Sequence, residues 1–183
     1  MNWLGTILLL GTAFCGVFAE AVFDSPRRWL GAQINYLPPL MVYAALTASV
    51  WQVAAIAVCG GLWVDSLSGN PLGVSVLPLL GAGLVLHRRR ELLLRHLPYA
   101  QFVIGTLATG GVTLLTLVLL LTLGERPLLG WGTLWQGAMI AVAGGLLTPF
   151  MFWMLGALTG LFSYQSAAGV SFRLDREIKR GRY

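Results

Sequence analysis

From Tyr99 to Leu123 the chain carries no charged side chain and is the most hydrophobic stretch of the sequence. As a helix, such a run is long enough to cross the ~30 Å hydrocarbon core of a bilayer, which takes ~20 apolar residues. Comparable runs occur at Trp3–Phe23 and Thr133–Phe162, and a longer apolar stretch covers Leu37–Leu67. Composition points the same way. With 57% hydrophobic and 10% charged residues in 183, the chain has more apolar surface than a water-soluble domain of its size can hide. The connections are short, so no separate soluble domain fits. The expected architecture is all-α: a polytopic membrane bundle over residues 1–163, followed by a basic cytoplasmic tail, 164–183.

How many passes the bundle makes turns on Leu37–Leu67, too long for one ordinary crossing and barely long enough for two. Pro38-Pro39 prevents a regular helix much before Leu40. Thr47, Ser49, Trp51 and Gln52 form a weakly polar interruption near the middle, with an aromatic of the kind that sits at the head-group level. The stretch is therefore divided into two short helices, Pro39–Val50 and Gln52–Leu67, giving six passes, with a single tilted helix and five passes as the alternative. Charge counting leans toward five: six passes leave Arg27, Arg28 and Arg126 outside, whereas five leave only Arg126.

Net charge is +5, but its placement argues against nucleic acid. Nine of the twelve basic residues fall in two clusters beside apolar runs: Arg88, Arg89, Arg90 and Arg95, and Arg173, Arg176, Lys179, Arg180 and Arg182. This is the positive-inside pattern, reinforced by anionic lipid head groups. Six passes put both clusters and both termini in the cytoplasm. Cys15 and Cys59 lie within apolar runs and read as small buried hydrophobes. His87 and His96 read as interfacial residues rather than metal ligands.

One polar stretch interrupts this pattern, Gly61-Leu-Trp-Val-Asp65-Ser-Leu-Ser68-Gly69-Asn70-Pro71-Leu-Gly73. Ser68 and Gly69 suit a helix end, with Gly69 free to take the left-handed C-cap, while Asn70 and Pro71 suit the N-cap and first residue of a helix running to His87. Asp65 is then expected to bond exposed amides of the turn and fix it; contact with a small ligand is the alternative. Elsewhere, Gly105, Thr106, Thr109, Gly110 and Thr113 place small and hydroxyl-bearing residues on the Tyr99–Leu123 helix, whose second half reads as lipid-facing. The Thr133–Phe162 helix is expected to bend at Thr148-Pro149. Gly144, Gly145, Gly156 and Gly160 are its candidate packing positions, the last two as a GxxxG match.

Catalysis lacks parts. An ionisable group at membrane depth costs ~2.5–3.5 kcal/mol on insertion scales and so marks function, and Asp65 alone qualifies. An aspartyl protease needs a second aspartate to share its proton. Ser66 or Ser68 as nucleophile needs a base, and both histidines lie toward the opposite face. No phosphate-cradling loop or metal-ligand spacing occurs, so no enzyme activity and no cofactor are expected.

The Asp65-x-x-Ser68-Gly69-x-x-Leu72-Gly73 core, preceded by a Pro-interrupted apolar run and followed by a helix ending in a basic cluster, resembles the rod shape-determining protein MreD family. The resemblance covers about Tyr36 to Phe162, including Gln101 and the Thr148-Pro149-Phe150 step. It implies a bacterial inner-membrane subunit of the wall-elongation (Rod) complex, without catalysis. It also implies association with MreC and, in the same assembly, with RodA, a penicillin-binding transpeptidase and the MreB filament system. The fold implied is similar to the substrate-binding S-components of energy-coupling-factor transporters. The two function classes are thus a membrane scaffold for peptidoglycan synthesis and cell shape, and an S-component-like small-molecule binder or carrier.

Overall fold

Six helices and no strand make up the described residues: α1 (Trp3–Val22), α2 (Leu37–Thr47), α3 (Val50–Ser68), α4 (Val76–Arg88), α5 (Pro98–Thr122) and α6 (Trp131–Leu174). The computed structural model describes residues 3–22, 35–69, 71–90, 97–124 and 130–174, and their side chains apart from those of 3, 4 and 161–174. Segments Gly5–Val22, Val50–Ser68, Pro98–Thr122 and Trp131–Gly160 are each long and apolar enough to span a membrane. Helices α2 and α4, of 11 and 13 residues, rise only about 17 and 20 Å at 1.5 Å per residue, short of the ~30 Å apolar thickness.

The short α2 is the centre of the molecule. Every residue from Leu37 to Leu46 is buried, and the helix packs against all five others. A helix with buried ends must satisfy its terminal N–H and C=O groups without water, and the sequence around α2 does so at both ends. At the N-terminus, Pro38 and Pro39 remove two of the otherwise unpaired N–H groups, and the Leu40 amide donates to Tyr36 O at 3.3 Å. Toward the C-terminus, the Ala48 amide bonds Ala44 O at 2.8 Å and the Thr47 hydroxyl bonds Tyr43 O at 2.7 Å. Ala45 O lies 2.9 Å from Nδ1 of His87. Because a carbonyl only accepts, that ring nitrogen carries its proton. His87, expected at the interface rather than on a metal, ties α4 to the end of α2.

The expected break between two helices is present, slightly earlier than anticipated, at Ala48 and Ser49, both in extended conformation. Gln52 accounts for the shift. Its Oε1 accepts from the Ser49 amide at 3.0 Å and the Ser49 hydroxyl at 3.1 Å, so the helix restarts before Trp51. Its Nε2 donates to the Thr6 hydroxyl at 2.7 Å, which sets the start of α3 beside the start of α1. The Phe14 and Trp63 rings meet edge-on at 5.3 Å further along, so these two helices run parallel. Helices α2 and α4 run the other way, with Leu37 against Gly60, Val76 against Gly61, and Met41 and Val53 both against Gly83.

Helices α5 and α6 form an antiparallel pair joined by a glycine–threonine interlock. Gly105 seats Thr148, Gly145 seats Thr106 and Gly144 seats Thr109, and a β-carbon on any of the three glycines would collide with its threonine. Gly110 faces Ala141 one step on. Small residues let the backbones approach closely, which is how apolar helices associate when water provides no drive. Thr106 and Thr148 donate to carbonyls one turn back, at 2.9 and 2.8 Å, so their hydroxyls enter the interface already satisfied. Gly156 and Gly160, the GxxxG pair, meet nothing within 4 Å and are exposed, lying off the stripe of α6 that carries buried Thr148, Met151 and Leu155, so they do not pack within the chain. Cys15 is likewise exposed, not buried, and Cys59 is half-buried. Helix α6 continues across Pro149 and past Phe162 to Leu174, carrying Arg173 within it.

Candidate functional site: the Asp65 hairpin and the cleft beside it

Asp65 sits in the last turns of α3, fully buried. One carboxylate oxygen accepts from the Gly73 amide at 2.7 Å, and both oxygens lie 3.2 Å from the Ser75 amide. Those amides belong to the residues just ahead of α4, where unpaired N–H groups and the positive end of the helix dipole favour an anionic acceptor. The turn between is built for this. Gly69 closes α3 in the left-handed conformation, φ 69°, as anticipated. Gly73 holds φ 96°, a region that side chains disfavour. Close approach of the two helices needs Gly61, whose β-carbon would lie 2.7 Å from Val76 Cγ2 and 2.9 Å from its Cα.

The start of α4 differs from expectation. Pro71 opens a turn, with the Val74 amide bonding Pro71 O at 3.3 Å, and the helix begins only at Val76 with Ser75 in the cap position. The positive φ of Gly73 prevents a helix from starting at Pro71, and the Asp65 bonds hold the intervening backbone in that shape. Asn70, the anticipated cap, lies outside the described residues. Thus Asp65, Ser68, Gly69, Pro71 and Gly73 do come together in one hairpin, although the carboxylate reaches further along the chain than the nearest amides.

Of the basic residues, Arg88 ends α4 and Arg89 and Arg90 follow it, all exposed. Arg173 is within α6; Arg95, Arg176, Lys179, Arg180 and Arg182 lie outside the described residues, as does His96. Gly144 and Gly145 pack against α5, and Gly156 and Gly160 meet no other described helix of the chain.

No protein-family model, curated protein or solved structure matches this chain. What its residues do must therefore be argued from the geometry. At the end of the bundle opposite Arg88–Arg90, a cleft of about 330 Å³ opens, lined from all six helices. The shortness of α2 contributes to it: Leu37 and Pro38 at its N-terminus form part of the lining, and no residue of α2 extends beyond them. Polar groups on the lining are Glu20, Asn35, Ser68, Ser75, Thr113 and Thr116. Contact of Asp65 with a small ligand was the alternative to fixing the turn, but Asp65 is not among the residues that line the cleft. Asp65 instead braces the wall from behind, through Ser75. Among the described residues no group of three or more His, Cys, Asp or Glu side chains is placed to hold a metal ion.

Proposed function

We propose that the chain is a multi-pass scaffold of the bacterial cytoplasmic membrane, of the rod shape-determining MreD type. In this reading its six helices lie within the bilayer, α2 as a buried core helix, and Arg88–Arg95, Arg173–Arg182 and both termini face the cytoplasm. It binds MreC and helps organise peptidoglycan synthesis beside RodA, a penicillin-binding transpeptidase and MreB filaments. The observation that carries the reading is the use made of Asp65. Its two oxygens are taken up by the Gly73 and Ser75 amides, so the polar group most suited to chemistry serves the turn. What the bundle then offers its surroundings is apolar surface, such as the exposed Leu107, Leu146 and Trp153, on which lipid tails and a partner's membrane helix can pack.

The test is reconstitution with a partner. Co-expressed with tagged MreC in a rod-shaped bacterium depleted of its own MreD, the full chain should co-purify in mild detergent and restore cylindrical growth. A chain that inserts in the membrane at normal yield, yet neither co-purifies nor restores shape, would overturn the assignment.

A further inference from the structure

We propose that the outer face of α4 binds an anionic phospholipid, with its phosphate on the Arg88–Arg90 guanidiniums and an acyl chain along Leu77, Gly81 and Val85. The inference takes from the scaffold reading only that the helices lie in a bilayer, and it needs no MreC. Three observations lead there. The first is charge without an internal partner. Arg88 ends α4 and Arg89 and Arg90 follow it, all three exposed, and among the described residues their side chains have no hydrogen-bond or ion-pair partner. The segments adjoining this end in sequence, 91–96 and 175–183, hold five basic residues against three acidic, so the net charge they bring has the same sign. The half negative charge at a helix C-terminus opposes an anion, and three guanidiniums outweigh it. A guanidinium takes a phosphate through two parallel N–H bonds. The second is depth. Gly61 against Val76 and Gly83 against Val53 set the register of α3 and α4, which brings Val85 level with Trp51. Trp51 is 74% exposed and, as an aromatic of the kind found at the membrane–water boundary, marks the edge of the hydrocarbon. Arg88 is one turn further along, ~4.5 Å of helix rise, which is within the ~5–7 Å head-group layer. The third is the track below the arginines. Leu77, Gly81, Val85 and Arg88 are spaced as one stripe of the helix, and all four are exposed. A β-carbon on Gly81 would meet nothing within 4 Å, so the glycine leaves a dent between Leu77 and Val85 in which a methylene chain can lie against backbone. A phosphate anchor and an apolar track on one stripe suit a molecule that has both, which a free phosphate or an acidic peptide does not.

The full chain, extracted from membranes in mild detergent, is to be equilibrated with equimolar dioleoyl phosphatidylglycerol and dioleoyl phosphatidylcholine, and the bound lipid counted by native mass spectrometry. The first lipid bound should be phosphatidylglycerol by at least about tenfold. Arg88→Gln, Arg89→Gln and Arg90→Gln together should bring the two lipids close to parity. Lys179→Gln, Arg180→Gln and Arg182→Gln together, which remove the same charge from the tail, should leave the preference as it was. Gly81→Leu, with the arginines intact, should reduce bound phosphatidylglycerol several-fold, and excess glycerol 3-phosphate should not displace it from the parent. Each variant should melt no lower than the parent. No preference for the anionic lipid, an equal loss in the tail variant, unchanged binding in a folded arginine or Gly81→Leu variant, or displacement by glycerol 3-phosphate would each overturn the proposal. A chain that never reaches the membrane fraction would overturn the bilayer reading along with it.

Discussion

Replacing Asp65 separates a residue that builds the hairpin from one that serves a ligand. In Asp65→Ala the amides of Gly73 and Ser75 lose their acceptor. A buried donor left unpaired costs ~1–3 kcal/mol. Ser75 is 9% exposed and pays most of that. Gly73 is only half-buried, so water recovers part of its loss. Removing the carboxylate also relieves the cost of burying it. The net expectation is ~2–3 kcal/mol, or about 5–10 °C in melting temperature for a chain of this size. Asp65→Asn keeps one carbonyl oxygen for one amide but turns an NH2 toward the other, and should fall about halfway. Thermal unfolding of the purified variants in one detergent, followed by tryptophan fluorescence and by protease resistance of the α3–α4 segment, measures both. An Asp65→Ala protein that melts with the parent would refute the idea that this carboxylate holds the turn, and would return it to the list of ligand-binding groups.

The α5–α6 interlock predicts a contrast along one helix. Gly144→Val should cost ~2–3 kcal/mol by forcing Thr109 and its backbone away, whereas Gly156→Leu with Gly160→Leu should leave the isolated chain's melting unchanged or slightly raised; equal losses at both places would contradict the packing. His87→Phe removes the donor to Ala45 O and should lower stability by ~1–2 kcal/mol, with His87→Gln restoring part of it, as read by the same melts. Reporter fusions after Arg90 and after Gly124 should report opposite sides of the membrane, the first cytoplasmic; the same side for both would break the alternation of the helices.

What was legible in the sequence followed from local chemistry. Long apolar runs mark α1, α5 and α6 because a bilayer-length apolar helix has few other uses, and Gly69 marks a helix end because only a residue without a β-carbon takes φ 69° cheaply. The Gly144-Gly145 pair was found because it lies in the middle of an uncharged helix, where close approach is the usual reason for glycine. The misses depended on partners distant in the chain. Pro71 looks like a helix start until Gly73 and Asp65 are seen to hold the backbone elsewhere. Gly60, Gly61 and Gly83 look no different from the exposed Gly156 and Gly160, yet each faces a side chain from another helix, namely Leu37, Val76, and Val53 with Met41.

The consequence of widest reach lies in Pro38-Pro39. Read locally, the pair only delays a helix. In the fold it makes a buried helix N-terminus tolerable, since the two N–H groups that would need partners at the floor of the cleft are absent. That permits α2 to be both short and central, with Leu37 and Pro38 contributing to the lining of the cleft. Restoring a donor there, as in Pro38→Ala, would place an unsatisfied amide against the apolar floor. Its cost, ~1–3 kcal/mol, should appear as a lowered melting temperature of the purified variant, and a Pro38→Ala protein that melts with the parent would refute the reading. The same two prolines therefore tie the packing of the core to the opening beside it.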